Sequence, residues 1–392
     1  METLKIALID LYGRFGGGQV SLSNMAHALS KKGHEVHILL GVKNIPRRVT
    51  ELCSPNCYLH QTLGYSNLKD ITKIFSKTRT YILKIHKSYE FDVISAQGIT
   101  GLFVPPTLQD RLIVTLHGNN MQRGLMLFKF ACEKSEMRSA VLRHSRNFFR
   151  DIIGHFLYGK LEKEVCEKAK IVIVLTPTEA YYARKWYSIS SQKIRVVPNV
   201  VVDLKDDCSK EIRISPQQKV ILSVGALEFI KGIPILTKAI GHVLASTKDV
   251  TYVSVGNGPL MSNVVELKIK FPDKVIILPQ IASGLSSLYS RSLVLVHGSL
   301  YEAMSLSMAE AMLSGKPVVA FRLASIPDLI VDNVTGLLAK PVDSKDLANK
   351  TLSLIENGKE AVRIGVNAKN VVDKLYNEQI IGNSLERVLR DV

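Results

Sequence analysis

Residues 299–317 read SLYEAMSLSMAEAMLSGKP, and their pattern is the most specific in the chain. It follows the apolar run Leu293–Val296, which predicts a buried strand. A helix should follow and end at Gly315, and Lys316-Pro317 should lead into the next strand. A strand, a loop, a helix and another strand in this order are typical of an α/β fold with a parallel sheet.

The same alternation continues outward over nearly the whole sequence. Short apolar runs, most of them rich in Val and Ile, are typical of strands buried on both faces. The stretches between them are helix-like, and Gly18–Lys32 has apolar residues at helical spacing. The alternation predicts two α/β domains with parallel sheets. The other runs are Leu4–Asp10, Glu35–Leu40, Phe91–Ser95, Leu112–Leu116, Ile171–Leu175, Ile194–Val197, Val220–Val224, Thr251–Val255, Val275–Leu278 and Pro317–Ala320.

The length also favours two domains. A chain of 392 residues is too long for one compact core, and 46% of its residues are apolar. The segment Asp203–Pro216 is polar and charged, so we place the domain break there. Ligands of such folds bind beyond the carboxyl ends of strands, and functional residues are therefore expected in the loops that follow strands.

The charge balance indicates an anionic partner. The formal net charge is +16 and the pI is about 9.5. Nucleic acid, an anionic membrane face and phosphorylated small molecules all fit this excess, and composition does not choose among them.

Cysteine usage and the N-terminus predict a cytoplasmic protein. The five cysteines are an odd, scattered set and a poor disulfide framework. Cys53, Cys57 and His60 lack an evident fourth ligand, so ordinary thiols are favoured over a zinc site. The run Leu4–Asp10 is too short for a signal peptide, and no apolar stretch is long enough to cross a bilayer. Membrane contact is therefore expected to be peripheral at most.

A glycine-rich loop follows the first apolar run. Gly16, Gly17 and Gly18 can bring backbone N–H groups close to a phosphate at the start of a helix. A tight turn without a ligand is the alternative interpretation. The run Glu35–Leu40 does not end in the acid that a dinucleotide-binding fold needs, which counts against a nicotinamide dehydrogenase.

Two other loops that follow strands each carry one side chain suited to proton transfer or to phosphate binding. His117 follows the run Leu112–Leu116, and a histidine there can donate, accept or shuttle a proton. Lys231 lies in the loop after Val220–Val224, where a lysine ahead of a helix is a natural phosphate counter-ion. A structural histidine and a solvated surface lysine are the alternatives.

A sharp turn follows the run Thr251–Val255. Gly256, Asn257 and Gly258 precede a proline, and their small bulk suits a flat base or a ribose nearby. The turn signal is strong, whereas the ligand signal is weak.

The stretch 299–317 carries the most specific pattern. Glu302 lies at the helix entrance, and Glu310 lies about two turns farther on, near the same face. Carboxylates pair well with vicinal hydroxyls, and the N–H groups of Met304, Ser305 and Leu306 can bind phosphates between them. One element would thus contact all three parts of a nucleotide-sugar. An amphipathic helix with two exposed glutamates is the alternative.

With these residues in place, the sequence resembles the retaining glycosyltransferases of family 4. Glu302 and Glu310 stand at the spacing of that family's E-x7-E motif, within its usual EAM-x-SGKPVVA context. Each further match is loose, but the joint order over nearly the whole chain is specific. The matches are the glycine-rich first loop, His117-Gly118, Val197-Pro198-Asn199, Gly225 with Lys231-Gly232, Gly256-Asn257-Gly258-Pro259, Ile326-Pro327-Asp328 and Thr335-Gly336-Leu337-Leu338.

The resemblance implies the GT-B architecture, with two Rossmann-like domains whose parallel sheets face each other across a cleft. Residues 1–205 would form the acceptor-side domain, and residues 206–375 the nucleotide-sugar-binding domain. Residues 376–392 would form a C-terminal helix that returns to the N-terminal domain.

The resemblance also implies the reaction. A sugar would pass with retention from a nucleotide-sugar, UDP- or GDP-linked, to a glycan or lipid-linked acceptor, without a cofactor. No D-x-D motif is present, which agrees with a metal-independent enzyme. The acceptor would attack on the front face, and the departing phosphate would help to deprotonate it.

Family roles carry over residue by residue. Glu302 would contact the hydroxyls of the donor sugar, and Glu310 the ribose. Lys231 would bind the diphosphate, with help from Gly17 and from the N–H groups around Met304–Leu306. His117 would sit at the reacting sugar.

One departure leaves the activity open. The family often has an arginine where this chain has Ala226, so one diphosphate cation is missing from its usual place. A non-catalytic nucleotide-sugar-binding protein and a GT-B-fold sugar-nucleotide epimerase are therefore kept as alternatives.

Residues 120–160 form a basic and aromatic segment. Such a segment could rest on an anionic membrane and receive a lipid-linked acceptor. A helical pair packed on its own domain is an equal alternative, and nucleic acid is disfavoured because no recognition motif accompanies the charge. Its basic residues are Arg123, Lys129, Lys134, Arg138, Arg143, Arg146, Arg150 and Lys160.

Overall fold

The structure is a computed structural model that describes residues 2–13, 16–42, 45, 47–52, 56–143, 145–203, 218–279 and 284–392. The chain divides by its internal contacts into two compact units. The first unit comprises Met1–Met121, Phe156–Val200 and Tyr376–Val392, and the second comprises Gln122–His155 and Val201–Leu375. The domain bounds at 205 and 375 stay predictions, and residues 204–216 of the proposed break lie outside the described residues.

The first unit contains a parallel sheet of seven strands among the described residues, in the order β3-β2-β1-β4-β5-β6-β7. The carboxyl ends of its parallel strands lie at one edge, where β1 ends at Asp10 and β4 ends at Gln97. The strands are β1 (Lys5–Asp10), β2 (Glu35–Leu40), β3 (Cys57–Gln61), β4 (Val93–Gln97), β5 (Leu112–Leu116), β6 (Ile171–Val174) and β7 (Ile194–Val196).

The second unit contains a parallel sheet of six strands within the described ranges, in the order β10-β9-β8-β11-β12-β13. The loops after the central strands β8 and β11 are therefore neighbours. The strands are β8 (Lys219–Val224), β9 (Val250–Val255), β10 (Val275–Leu278), β11 (Ser292–His297), β12 (Val318–Phe321) and β13 (Gly336–Ala339).

Helices connect these strands. Helix α15 packs against α1, and ion pairs join Lys31 to Glu378 and Lys32 to Glu386, each at 3.1 Å.

No helix in the described part of the chain is long and apolar enough to cross a membrane. The helices are α1 (Gly17–Lys31), α2 (Arg47–Leu52), α3 (Leu68–Tyr89), α4 (Asn120–Glu133), α5 (Ser135–Arg143), α6 (Ser145–Lys168), α7 (Pro177–Tyr187), α8 (Ile233–Ser246), α9 (Met261–Lys270), α10 (Leu285–Arg291), α11 (Leu306–Leu313), α12 (Ile326–Leu329), α13 (Ser344–Glu356), α14 (Gly358–Leu375) and α15 (Glu378–Arg390), with 3-10 turns at Gly98–Phe103, Pro106–Arg111 and Phe229–Lys231.

The two parallel sheets confirm the predicted pair of Rossmann-like α/β folds. Every apolar run named from the sequence lies on a strand, whereas β3 and β13 were not predicted. Both of these are edge strands. The first is only partly buried and ends in two polar residues, and the second reads GLLA and has no β-branched residue, so neither has the Val- and Ile-rich pattern of the other strands.

Candidate active site

The loops after β8 and β11 are held against each other by their backbones. The N–H of Leu300 donates to the carbonyl of Ile230 at 2.8 Å. Gly232 has a φ of 60°, and a Cβ added there would lie 1.9 Å from the carbonyl oxygen of Gly298. Glycine is therefore required for this close approach, which fixes Lys231 beside the second loop.

Three donors converge on one oxygen of Glu302. Its Oε1 lies 2.6 Å from Nζ of Lys231, 2.8 Å from Nε2 of His297 and 2.7 Å from Oγ of Ser299. The fold thus brings together Lys231 and Glu302, which were named from the sequence. His297 and Ser299 were missed, although His297 ends a strand and so carries the same signal that singles out His117.

The partners of Glu302 decide its charge. Burial alone would raise the pKa of this carboxyl. The charge of Lys231 and the hydrogen bond from His297 outweigh burial and hold the pKa well below its usual range. Glu302 is therefore an ionised acceptor at any physiological pH.

Helix α11 begins directly after this cluster. The Ser305 hydroxyl accepts the N–H of Met308 at 3.5 Å and caps the helix. Met304 and Ser305 are buried, and Leu306 is half-buried. The first N–H groups of a helix have no partner within it, so this end of α11 attracts an anion.

Glu310 lies farther along α11. It accepts a hydrogen bond of 3.0 Å at Oε2 from the hydroxyl of the buried Tyr289. Glu302 and Glu310 are 8% and 6% exposed. The alternative of an amphipathic helix with two exposed glutamates is therefore wrong, because both carboxylates are enclosed by their unit.

The turn after β9 has a structural use. Gly256 has a φ of 151°, and a Cβ on it would lie 1.9 Å from the carbonyl oxygen of Gly225. The N–H of Leu227 donates to the carbonyl of Asn257 at 2.9 Å, and Gly258 also approaches Leu227 closely. The small residues of this turn therefore support the loop that carries Lys231, and their contact with a base or ribose stays a prediction.

In the first unit, His117 directly follows β5 and contacts the end of β4. Its Nε2 forms a hydrogen bond with Oε1 of the buried Gln97. An amide oxygen accepts, so Nε2 of His117 carries a proton in this contact. This arrangement fixes the orientation of the ring at the carboxyl edge of the sheet.

A buried carboxylate lies beside the glycine-rich loop. A Cβ on Gly18 would be 3.4 Å from Oδ2 of Asp10 and 4.0 Å from Cδ2 of His117, so the three residues are neighbours. Burial raises the pKa of Asp10 to about 6, although hydrogen bonds from Tyr12 and Gln19 act in the opposite direction. The sequence reading missed Asp10.

The glycines of that loop differ in their surroundings. The N–H of Gly16 donates to Oε1 of Gln19 at 2.8 Å. A Cβ on Gly17 would meet no atom within 4 Å, so this position is open, and its contact with a ligand stays a prediction. Arg14 and Phe15, in the same loop, lie outside the described residues.

The segment 122–155 packs on the loops of the second unit. The guanidinium of Arg123 lies 5.3 Å from the ring centroid of Tyr301, and the ring of Phe148 lies 5.3 Å from that of Phe229. Burial, and then the charge of Arg123, lower the pKa of His155 to about 3. One face of this segment is thus packed, but against residues of the second unit and not, as expected, against the rest of residues 1–205.

Comparison with known families gives a consistent result over most of the chain. A model of "Glycosyl transferases group 1" matches residues 205–371, and a model of "Glycosyltransferase Family 4" matches residues 15–203. The two matches follow one another along the chain.

Known proteins of this kind align over almost the full length. The N-acetyl-alpha-D-glucosaminyl L-malate synthase of Bacillus anthracis is 21% identical, over 99% of this chain and 97% of the relative. The alpha-monoglucosyldiacylglycerol synthase of Streptococcus pneumoniae is 22% identical, over 96% and 86%. The solved structure of Anabaena HepE in complex with UDP and glucose superposes with a TM-score of 0.73, at 18% identity, over 99% of this chain and 100% of that one. This last likeness shows the fold.

Proposed function

The chain belongs to the group 1, family 4 glycosyltransferases, and from this premise we propose that it is a retaining, metal-independent enzyme that uses a UDP- or GDP-linked sugar. Glycosyl transfer itself follows from the family. The stereochemistry, the donor and the acceptor are the proposed part.

One observation carries the proposal: Lys231 and Glu302 meet at 2.6 Å beside the start of α11. A cation, an ionised acceptor and a helix N-terminus are the three groups that a sugar diphosphate requires. Lys231 and the N–H groups at Met304–Leu306 would neutralise the diphosphate, and Glu302 would accept hydrogen bonds from the sugar hydroxyls. Glu310, deeper along the same helix, would accept from the ribose.

In the proposed reaction, the acceptor oxygen attacks the anomeric carbon on the face from which the diphosphate leaves. The bond between that carbon and the diphosphate oxygen breaks, and its electron pair stays on the phosphate. The departing phosphate oxygen takes the acceptor proton. Stabilisation of the negative charge on the leaving group is then the main task of the protein, and Lys231 would supply it.

A donor screen tests this proposal. Purified protein is incubated with UDP-glucose, UDP-N-acetylglucosamine and GDP-mannose, and the melting temperature and the release of nucleoside diphosphate are measured. A transferase releases the diphosphate by transfer or slow hydrolysis. Binding without release would favour the non-catalytic alternative, and an altered donor sugar would favour the epimerase.

Matched variants at two glutamates identify the site. Glu302→Gln keeps the shape and removes the charge, so turnover should fall at least about tenfold. Glu356→Gln makes the same change at an exposed position on α13 and should have no effect. Equal activity of the two variants would reject the assigned site.

A second part of the proposal concerns the acceptor. We propose that the outer face of α4–α6 contacts an anionic membrane, at its cytoplasmic side, and receives a lipid-linked acceptor there. The support is an exposed apolar and basic surface, together with a relative whose name specifies a diacylglycerol product. The side chains of Arg143 and Arg146 are outside the described residues. Exposed apolar and basic residues on these helices include Phe128, Lys129, Arg138, Leu142, Phe149, Arg150 and Ile153.

Vesicle sedimentation tests this contact. The protein should sediment with phosphatidylglycerol vesicles at low salt, less with phosphatidylcholine vesicles, and be partly released by salt. Phe149→Ser with Ile153→Ser should remove the fraction that resists salt. Ile269→Ser, at an exposed apolar position on α9, should not. If the unaltered protein ignores anionic vesicles at low salt, a soluble glycan acceptor replaces the lipid.

A further inference from the structure

The three donors to Glu302 differ in origin and exposure. Lys231 comes from the loop after β8, and its side chain is 29% exposed. His297 and Ser299 belong to the same strand and loop as Glu302, and both are buried. The end of β11 is fixed in the sheet, where His297 pairs with Ala320 of β12.

This difference matters when an anion arrives. The diphosphate of a donor would attract the ammonium of Lys231, the most exposed of the three groups. A buried carboxylate that loses part of its charge partner becomes free to reorient or to take a proton. The two buried donors would remain in place, because they are held by the strand and the loop of Glu302 itself.

We propose that His297 is a positioning residue that, with Ser299, holds the Glu302 carboxylate toward the donor sugar while Lys231 turns to the diphosphate. This inference rests on the proposed function and names a role within the same site. The atom that matters is Nε2 of His297, since it lies 2.8 Å from Oε1.

The proposal makes different predictions for the diphosphate and for the sugar of the donor. Loss of His297 should leave the diphosphate contacts of Lys231 unchanged and weaken only those interactions that involve the sugar. A glutamine at this position can bring an amide N–H near the place of Nε2. An asparagine is one bond shorter and reaches only the place of Nδ1. The two side chains are therefore both neutral amides, and they differ in whether an N–H can occupy the position of Nε2.

The experiment compares His297→Gln with His297→Asn. Calorimetry measures the affinity for UDP, UDP-glucose, GDP and GDP-mannose, and initial rates of diphosphate release give kcat and KM. We expect kcat of His297→Asn to fall at least tenfold, with the affinity for the bare nucleoside diphosphate within twofold of wild type. His297→Gln should stay within threefold of wild-type kcat. His242→Leu, at an exposed position on α8, is the matched control and should change nothing.

The possible results separate the hypotheses. Equal losses in both amide variants, or a parallel loss of bare diphosphate affinity and melting temperature, would mean that His297 is merely structural and would overturn the inference. Wild-type kcat in His297→Asn would also overturn it. If His297→Asn does not fold, Ser299→Ala replaces it, with kcat expected to fall two- to fivefold at unchanged diphosphate affinity. If the wild-type protein neither binds nor turns over any of the four compounds, the proposed function is wrong and the inference fails with it.

Discussion

Two buried carboxylates, Glu302 in the second unit and Asp10 in the first, have opposite pKa shifts. Their residues are 8% and 4% exposed, so burial alone does not explain the difference. Glu302 has the ammonium of Lys231 at 2.6 Å, whereas Asp10 accepts the neutral N–H of Tyr12 at 2.9 Å. Burial sets the cost of the charge, and the partner decides whether the charge persists.

The opposite pKa shifts suggest different functional roles for Glu302 and Asp10. An acid held ionised is a constant acceptor for hydroxyl groups, which suits the recognition of a sugar. An acid with a pKa of about 6 changes its charge near neutrality, and Asp10 does so beside Gly18 and His117. Groups with shifted pKa values cluster at functional sites, because catalytic acids and bases need pKa values matched to their task.

The largest effect on turnover is expected when the cation beside Glu302 is removed. Lys231→Ala leaves the buried carboxylate of Glu302 with His297 and Ser299 as its remaining donors, and breaking a buried ion pair in this way costs about 3–5 kcal/mol. We expect turnover to fall at least about a hundredfold, measured as initial rates of diphosphate release. Lys238→Ala, at an exposed position on α8, is the control. If Lys231→Ala keeps near-normal turnover, another cation serves the diphosphate, and Arg123 above Tyr301 would be examined next.

The double variant separates charge from shape. Lys231→Ala with Glu302→Gln removes both members of the ion pair, so the carboxylate is no longer left without its cation. It should therefore melt at a higher temperature than Lys231→Ala alone, although turnover should be low in both variants. Equal melting temperatures would show that Lys231 does not compensate Glu302 in solution.

The second prediction concerns Asp10→Asn. The folded pKa of about 6 lies above the ordinary value of 3.8, so the folded state holds this proton more tightly. Ionisation of Asp10 therefore lowers the free energy of unfolding. This loss is absent below pH 3.8, grows as the pH rises from 3.8 to 6, and is complete above pH 6. It corresponds to about 3 kcal/mol at pH 7.5. Asp10→Asn should therefore be more stable than wild type at pH 7.5 and should lose this advantage toward pH 4, while its turnover falls.

Unfolding by urea at several pH values measures this effect. Asp110→Asn, at an exposed position of the first unit, is the control and should change stability little. A destabilised Asp10→Asn at pH 7.5 would mean that the carboxylate is needed for packing or hydrogen bonding, and the comparison with Glu302 would lose its basis.

The sequence predicted positions better than it predicted contacts. The strand ends that carry His117, Lys231 and Glu302 follow from apolar runs, because period and composition report burial along the chain. The meeting of Lys231 with Glu302 depends on the neighbouring order of β8 and β11, which no local pattern contains. His297 ends a strand and was within reach of the same argument.

Other features were hidden for physical reasons. Asp10 stands at the end of an apolar run, and only its neighbours in space give it a raised pKa. The packing of the segment 122–155 depends on contacts with Phe229 and Tyr301, far away in sequence. Its mixed basic and aromatic composition left two interpretations open, and contact of its exposed face with a membrane stays a prediction.

The third prediction concerns Glu310, a buried carboxylate whose Oε2 accepts from the neutral Tyr289 hydroxyl at 3.0 Å. Glu310→Ala should weaken the binding of the bare nucleoside diphosphate by about 1–3 kcal/mol, because the ribose hydroxyls lose their acceptor. Calorimetry with UDP and GDP measures the change. Tyr289→Phe removes only the hydroxyl and should have a smaller effect. Unchanged affinity in Glu310→Ala would reject the ribose contact.

The smallest effect is expected from adding a second cation to the loop that already carries Lys231. Ala226 is half-buried and follows Gly225 in the loop that carries Lys231. An arginine there would add a partly exposed charge near the proposed diphosphate, and such charges contribute about 0.2–1 kcal/mol. Ala226→Arg should therefore bind UDP up to about fivefold more tightly, with a gain that shrinks as salt is added and with turnover not reduced. Val265→Arg, on the exposed face of α9, adds the same charge elsewhere and should change neither quantity. A loss of turnover in Ala226→Arg would mean that the added guanidinium competes with Lys231 for Glu302, and that the charge balance at this carboxylate tolerates one cation.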